Sequence, residues 1–239
     1  MNNRTASTVV LIVALLPAAI PARADGPIVD KVYDPYVHLL EREIEYRSIV
    51  QNDGNNTKDG LQIHRLGLGM TWSDRLFSEL YLIGEKTDTN NLAVSGYELE
   101  TKWQMTEKGE YWADWGLLFE FEDKRNSDIA EIKTTLLMSK EVGRWITTVN
   151  AGIFYEWGND VVNEFETTLT AQIRYRLTRG FEPALELYVG DYSKGLGPVF
   201  TGNVRTGGKT KLHWELGLIL GLDRTSVNQT YRGLLEFEF

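Results

Sequence analysis

The chain has no cysteine in its 239 residues, and only three histidines and six prolines. Without cysteine there is no disulfide framework and no thiolate zinc site. The scarcity of histidine leaves His38, His64 and His213 as the only imidazoles for proton transfer or metal binding. Positive charge is also short: 25 Lys+Arg stand against 34 Asp+Glu, a net charge of -9. A chain of that sign does not neutralise phosphates, so no nucleic-acid partner is expected. A mean hydropathy of -0.28 excludes a helical membrane protein, and 11% aromatic residues exclude a disordered chain. An acidic soluble protein fits these averages. So does a transmembrane β-barrel, whose strands alternate apolar and polar residues and so hide an apolar surface within a modest mean.

The one sustained apolar run lies at the start. Arg4 precedes an apolar stretch over residues 9–16, and Ala22-Arg23-Ala24 follows, ahead of Asp25. A basic beginning, an apolar middle and an A-x-A end predict a secretory signal peptide over residues 1–24, with a single domain over 25–239. Pro17 and Pro21 interrupt the run, which is too short for a membrane anchor of about 20 residues. Removing the leader takes away Arg4 and Arg23 and no acid, leaving -11 on the mature chain. Export with no disulfide points to the periplasm, the outer membrane or the medium of a bacterium.

Beyond the leader, apolarity recurs every second residue. Tyr97, Leu99, Thr101 and Trp103 fall on one face, with Glu98, Glu100 and Lys102 on the other. The same alternation sets Leu117, Phe119 and Phe121 against Leu118, Glu120 and Glu122, and Phe165, Leu169 and Ile173 against Glu164, Glu166, Arg174 and Arg176. Period two means strands with one face fit for an apolar medium and one for water. The pattern predicts about twelve strands, near 35–50, 60–72, 75–86, 95–106, 111–122, 129–140, 145–157, 164–177, 181–190, 198–206, 209–222 and 230–239. The strand at 198–206 has the weakest alternation; a hairpin at Thr206-Gly207-Gly208-Lys209 makes the count even.

Two further patterns favour a barrel over a sandwich. Short turns are expected at residues 72–75, 107–109, 141–143 and 178–180, alternating with longer polar loops at 51–59, 86–93, 123–128, 157–162 and 223–229. That is the asymmetry between the periplasmic and external ends of an outer-membrane barrel. Trp72, Trp103, Tyr111, Trp145 and Tyr175 lie toward the short-turn ends, and Tyr46, Tyr97, Phe121, Tyr155 and Phe165 toward the long loops. Two such belts suit the two lipid–water interfaces.

The chain closes on Tyr231, Gly233, Leu235, Phe237 and Phe239 along one face, and Phe239 is the last residue. This strand resembles the assembly signal of bacterial outer-membrane β-barrels, which implies an all-β, antiparallel transmembrane barrel, the outer membrane as location, and two partners: the lipid bilayer, and the assembly machinery that reads the strand ending in Phe239. A narrower resemblance rests on Gly190-Asp191-Tyr192-Ser193, Leu196-Gly197-Pro198-Val199, Gly207-Gly208-Lys209-Thr210-Lys211-Leu212, Glu215, Gly217, Gly221 and the terminal Leu235-Glu236-Phe237-Glu238-Phe239. These are similar to the C-terminal third of the outer-membrane transporter group related to the phenol-degradation MetA-type and copper-resistance-type barrels. The resemblance implies a barrel that passes or binds a small solute.

If the apolar rows meet lipid, the other rows line the lumen. The candidate solute path is then Glu41, Glu43, Glu45 and Arg65 in the first two strands and Glu98, Glu100 and Lys102 in the fourth. Glu120, Glu122, Glu164, Glu166, Arg174, Arg176 and Glu215 continue it. Acids predominate, so a passive channel for small neutral or cationic solutes is expected. Monomeric porins for acidic oligosaccharides have similar length and strand number, but that resemblance would imply Arg/Lys ladders, and the ladder here is Glu-rich. A lumen of about twelve strands is intermediate in width, so it either admits a narrow file of solute or is closed by carboxylates and cations pairing across it. Arg42, in a row with His38, Leu40 and Ile44, breaks the pattern and calls for a bulge or for snorkelling to an interface.

No catalytic residue, cofactor or metal set is assigned. No serine adjoins His38, His64 or His213 in a nucleophile motif. Asp53, Asn55 and Asp59 offer oxygen donors, but Asp and Asn are also what a solvated turn uses. A barrel hydrolase acting on lipid or peptide, and a closed structural or adhesion barrel, are the alternatives to a channel.

Overall fold

A computed structural model describes residues 29–54, 60–125, 127–207 and 210–239. The expected leader at 1–24, the donors Asn55 and Asp59, and the hairpin residues Gly208 and Lys209 lie outside the described residues.

Twelve strands form one closed antiparallel barrel: β1 Arg42–Asn52, β2 Gln62–Ser73, β3 Leu76–Lys86, β4 Ala93–Gln104, β5 Asp114–Lys124, β6 Ile129–Val142, β7 Trp145–Gly158, β8 Glu164–Tyr175, β9 Glu182–Gly190, β10 Lys194–Gly207, β11 Thr210–Gly221 and β12 Gln229–Glu238. Each strand pairs with its neighbours in sequence, and β12 pairs back onto β1 from Glu43↔Glu238 to Asn52↔Gln229. Closure leaves no strand edge unpaired, which is the condition for crossing hydrocarbon with strands. The weakly alternating tenth strand is present and longer than its sequence pattern indicates.

The side-chain rows divide as period two requires. Leu66, Leu68, Leu80, Leu99, Phe119 and Leu216 are exposed on the outside. The buried polar side chains, among them Glu43, Glu45, Arg47, Glu98, Glu100 and Glu120, point inward. This inversion of a soluble protein, apolar outside and charged inside, makes the chain an outer-membrane β-barrel. Trp72, Trp103, Tyr111 and Trp145 are exposed toward one rim, and Tyr97, Phe121 and Phe165 toward the other. Trp145 and Tyr175 lie 4.9 Å apart, and Tyr155 and Phe165 4.6 Å apart, so the belts continue across strands.

Three expectations are corrected. The first strand does not run over 35–50; it begins at Arg42, and residues 29–41 leave the wall. Pro35 cannot donate to a ladder, and Leu40 takes φ 62°, a left-handed turn that reverses the chain. Arg42 is therefore the first residue of β1, exposed at the rim, and needs no bulge. Second, the connection at 107–109 is no tight turn: residues 105–113 separate β4 from β5 and carry exposed Tyr111 and Trp112. Third, loop lengths do not alternate strictly, because only 191–193 joins β9 to β10 on the long-loop side.

Candidate functional site

The barrel interior is organised by the N-terminal segment. Residues 29–37 run down the lumen, from Val29 beside Ile219 toward the long-loop end of β11 to Val37 beside Gln104 at the short-turn end of β4. Nine residues reach at most about 30 Å, comparable with the apolar band of about 25 Å that such barrels present to lipid.

Wall side chains satisfy the backbone of this segment. Tyr33 N donates to Asn150 Oδ1 and Asn150 Nδ2 donates to Tyr33 O, each at 2.8 Å, so one amide side chain on β7 stands in for a paired strand. Val37 N donates to Gln104 Oε1 at 2.8 Å. The hydroxyls of Tyr33 and Tyr36 donate to Glu100 and Asp114, each at 2.6 Å. Pro35 lies against Gly116, where an added Cβ would stand 3.0 Å from Pro35 Cβ; the missing side chain makes room for the segment.

Farther up, the contacts are ionic and tightly knit. Arg47 is fully buried; it pairs with Asp30 and gives Nε and Nη2 to Glu45 Oε1 at 2.9 and 2.7 Å. Arg232 donates to the Asp30 carbonyl, to Tyr188 Oη at 2.6 Å, and through Nη2 to Glu186 at 3.0 Å and Glu215 at 2.7 Å. Lys31 pairs with Glu45, and its Nζ lies 3.6 Å from Glu236 Oε2. Two apolar clusters flank this region. Val29 packs with Tyr188, Val199 and Ile219, and Tyr33 with Leu118 and Leu137. Much of the packed interior is therefore made by the segment itself.

Two cavities result, of about 410 Å³ and 300 Å³, which share Lys31, Tyr33 and Leu118 as lining. The larger opens toward the long loops and holds Arg65, Glu98, Glu120, Glu122 and Glu166 of the expected path. Arg65 pairs with Glu98 and lies 3.6 Å from Glu122; Lys133 bonds Glu120 at 3.0 Å. The smaller lies toward the short turns and holds Glu41, Glu43, Glu100, Lys102, Arg174, Arg176 and Glu215. Glu45 is sealed between them by Arg47 and Lys31, while Glu164, beside Glu156 at the outer end of β8, lines neither. The structure thus brings the expected residues to the inner wall but not into one continuous row.

The sequence reading missed the segment: Asp30, Lys31, Tyr33 and Tyr36 were not among the expected path. The signal was available in the excess of acid. Among the described buried residues eleven Glu and two Asp stand against three Arg, so the wall calls for further cations and donors. Lys31 and the hydroxyls of Tyr33 and Tyr36 supply one cation and two donors, to Glu45, Glu100 and Asp114.

The histidines do not form a catalytic set. His64 points outward, its Nδ1 2.7 Å from Tyr46 Oη. His38 lies at the rim 3.6 Å from Glu41, whose hydrogen bond raises the imidazole above its usual 6.5. Burial works to raise Glu41, but the hydrogen bonds and charge of His38, together with the charge of Lys102, hold it below the usual carboxylate range. In the lumen, His213 Nε2 faces both Glu215 Oε1 at 3.1 Å and Thr201 Oγ1 at 3.5 Å, while its Nδ1 faces the amide oxygen of Asn203 at 3.2 Å. A triad needs the acid and the nucleophile on opposite ring nitrogens.

No protein-family profile matches the chain, and no curated protein matches it. Solved structures do. The COG4313 outer membrane channel from Pseudomonas putida F1 aligns with a TM-score of 0.61 at 13% identity, over 88% of this chain and 98% of that one. The KdgM porin, solved in complex with disordered oligogalacturonate, aligns with a TM-score of 0.58 at 14% identity, over 82% and 99%. The NanC porin aligns with a TM-score of 0.54 at 11% identity, over 82% and 98%. At these identities the likeness is one of fold, that of outer-membrane porins and channels rather than enzymes.

Proposed function

We propose that this barrel is a passive outer-membrane channel for small neutral or cationic solutes, and that its own N-terminal segment occludes the lumen. The observation that carries this reading is the seating of residues 29–37 between the two cavities, through backbone bonds to Asn150 and Gln104. A wall that needed only structural bracing would pair Glu with Arg across the lumen. Here several of those pairings run instead to residues 29–37, which belong to no strand, so that their withdrawal would break no strand ladder.

The sign of the solute follows from the lining. Among the described residues, seventeen Asp and Glu against ten Lys and Arg line the two cavities, an excess of acid that raises the local concentration of cations and repels anions. The KdgM porin was solved with an acidic oligosaccharide, but the carboxylates here disfavour such a substrate. The resemblance of the C-terminal third to the MetA-type and copper-resistance-type group supports the same class, a barrel passing a small solute. The strand ending at Phe239, whose N–H bonds the Arg42 carbonyl at 2.9 Å, serves the assembly machinery as its recognition element. A hydrolase reading finds less support, because the best-placed histidine, His213, has its carboxylate partner Glu215 on the same nitrogen as the Thr201 hydroxyl, and only an amide oxygen, of Asn203, on the other.

The test is planar-bilayer conductance of the purified barrel and of a variant lacking residues 29–37. The expected result is cation-selective current that is rare in the full chain and sustained in the shortened one. Two folded barrels that are equally silent would sink the channel reading.

A further inference from the structure

One group of charges is crowded together on the short-turn side of the lumen. Glu43 and Glu45 on β1 and Glu236 on β12 each bring a carboxylate oxygen within 4.8 Å of the others. The register creates this crowding, because Glu45 sits directly opposite Glu236, and Glu43 opposite Glu238. On its other side β1 faces β2, which opposes Glu45 and Glu43 with Gly67 and Gly69. A Cβ at Gly67 would lie 2.1 Å from Glu79 Oε1, and one at Gly69 would lie 2.9 Å from Glu43 Cγ. Two bare glycines thus clear a floor across which Glu79 of β3 reaches toward the β1 acids.

Glu79 is 2% exposed, lines the same cavity as Glu43 and Glu236, and has one carboxylate oxygen, Oε1, with no hydrogen-bond partner. A buried carboxylate oxygen left unsatisfied is costly, and like charges beside it add to that cost. The cation in the middle is Lys31, whose ammonium is bonded to Glu45 and 3.6 Å from Glu236. Arg47 reaches Glu45 but is shared with Asp30. Lys31 thus meets two carboxylates of a crowded group, and Arg47 one of them, while Glu43 and Glu79 form no ion pair with either cation.

We propose that this nest binds a hard divalent cation of the calcium type, which competes with the Lys31 ammonium for the same carboxylates. The donors are all carboxylate oxygens, with no nitrogen or sulfur ligand, the set that prefers hard cations. Calcium–oxygen bonds of about 2.4 Å place oxygens on opposite sides of the ion about 4.8 Å apart, and the Glu43, Glu45 and Glu236 oxygens all lie within that reach of one another. A divalent ion would bring two positive charges where Lys31 brings one, and the idle Oε1 of Glu79, in the same cavity, offers a further oxygen. Displacing Lys31 removes one of the bonds that seat the segment, so calcium would favour its withdrawal. That last consequence rests on the occlusion proposed above; the binding site does not.

The experiment is equilibrium binding of radioactive calcium to the full chain, folded in detergent and verified by heat-modifiable gel migration. One saturable site is expected. Glu43→Gln with Glu236→Gln should weaken it at least tenfold, Lys31→Met should tighten it at least tenfold, and Asp223→Asn in an exposed loop should leave it unchanged. If the double variant does not fold, Lys31→Met carries the test alone, since it keeps every carboxylate. Trypsin should cleave after Lys31 in calcium and spare it in potassium. Absence of saturable binding in both the native chain and Lys31→Met overturns the site, as does binding indifferent to Glu43 and Glu236. Binding with Lys31 still protected, and no tightening in Lys31→Met, overturns the competition. A barrel that binds calcium as expected but never conducts removes the channel reading and leaves the site standing.

Discussion

Replacing Asn150 with Ala should loosen the N-terminal segment without touching the barrel ladder. Asn150 is 4% exposed, and its amide makes both backbone bonds to Tyr33 at 2.8 Å. Truncation leaves the Tyr33 N–H and C=O without those partners. An unsatisfied buried polar group costs about 1–3 kcal/mol. Cavities on both sides allow water to recover part of that, so about 2 kcal/mol for the pair is the working figure. At about 1.4 kcal/mol per factor of ten, the ratio of withdrawn to seated segment should rise roughly 30-fold. Single-channel recording reads that ratio as open probability. Asn150→Asp keeps the acceptor for Tyr33 N–H and loses the donor, so it should fall between the two. Open probability unchanged in a folded Asn150→Ala barrel would refute the assignment of this side chain as the anchor. If deletion of residues 29–37 still opened the pore, the occlusion would survive and the hold would lie with Arg47 and Arg232.

Other consequences can be checked independently. Leu216→Arg, on the exposed outer face near the middle of β11, should lower folding stability in vesicles by about 2–4 kcal/mol, measured by denaturant titration. At Gly197 an added Cβ would stand 1.8 Å from the Leu218 carbonyl oxygen on the paired strand, so Gly197→Ala should greatly reduce the heat-modifiable folded species. His38 should titrate above 6.5 by NMR, and Glu41→Gln should return it to its usual value. A raised folded-state pKa stabilises at pH below about 6.5 and fades as pH climbs through the raised value; with the His38 side chain 67% exposed, solvent screening keeps the effect under about 1 kcal/mol.

The barrel was legible because its two physical demands repeat in every strand. Leu99 beside Glu98 and Phe119 beside Glu120 announce an apolar medium on one side and water on the other, and closure follows from an even number of such strands. Strand ends were less legible, since Trp112 and Leu177 continue an alternating pattern into connections that do not pair. The N-terminal segment was illegible for a different reason. Val32, Tyr33 and Tyr36 have strand-like side chains, and period two cannot tell a strand in the wall from an extended chain inside it. Only Pro35 and the shortage of buried cations argued otherwise. The carboxylate nest needed three-dimensional register, because Glu45 and Glu236 are nearly two hundred positions apart and become neighbours only through closure of β1 on β12.

The central claim is that the N-terminal segment is the closed gate, and the cysteine-free chain permits a direct test. Pro35 Cβ lies 3.0 Å from the position a Cβ would take at Gly116, close to the separation of about 3.5–4.5 Å that a disulfide spans. Conductance of the Pro35→Cys, Gly116→Cys barrel should vanish on oxidation and return on reduction. Equal current from the oxidised and reduced barrels, with the crosslink verified by mass, would contradict the account.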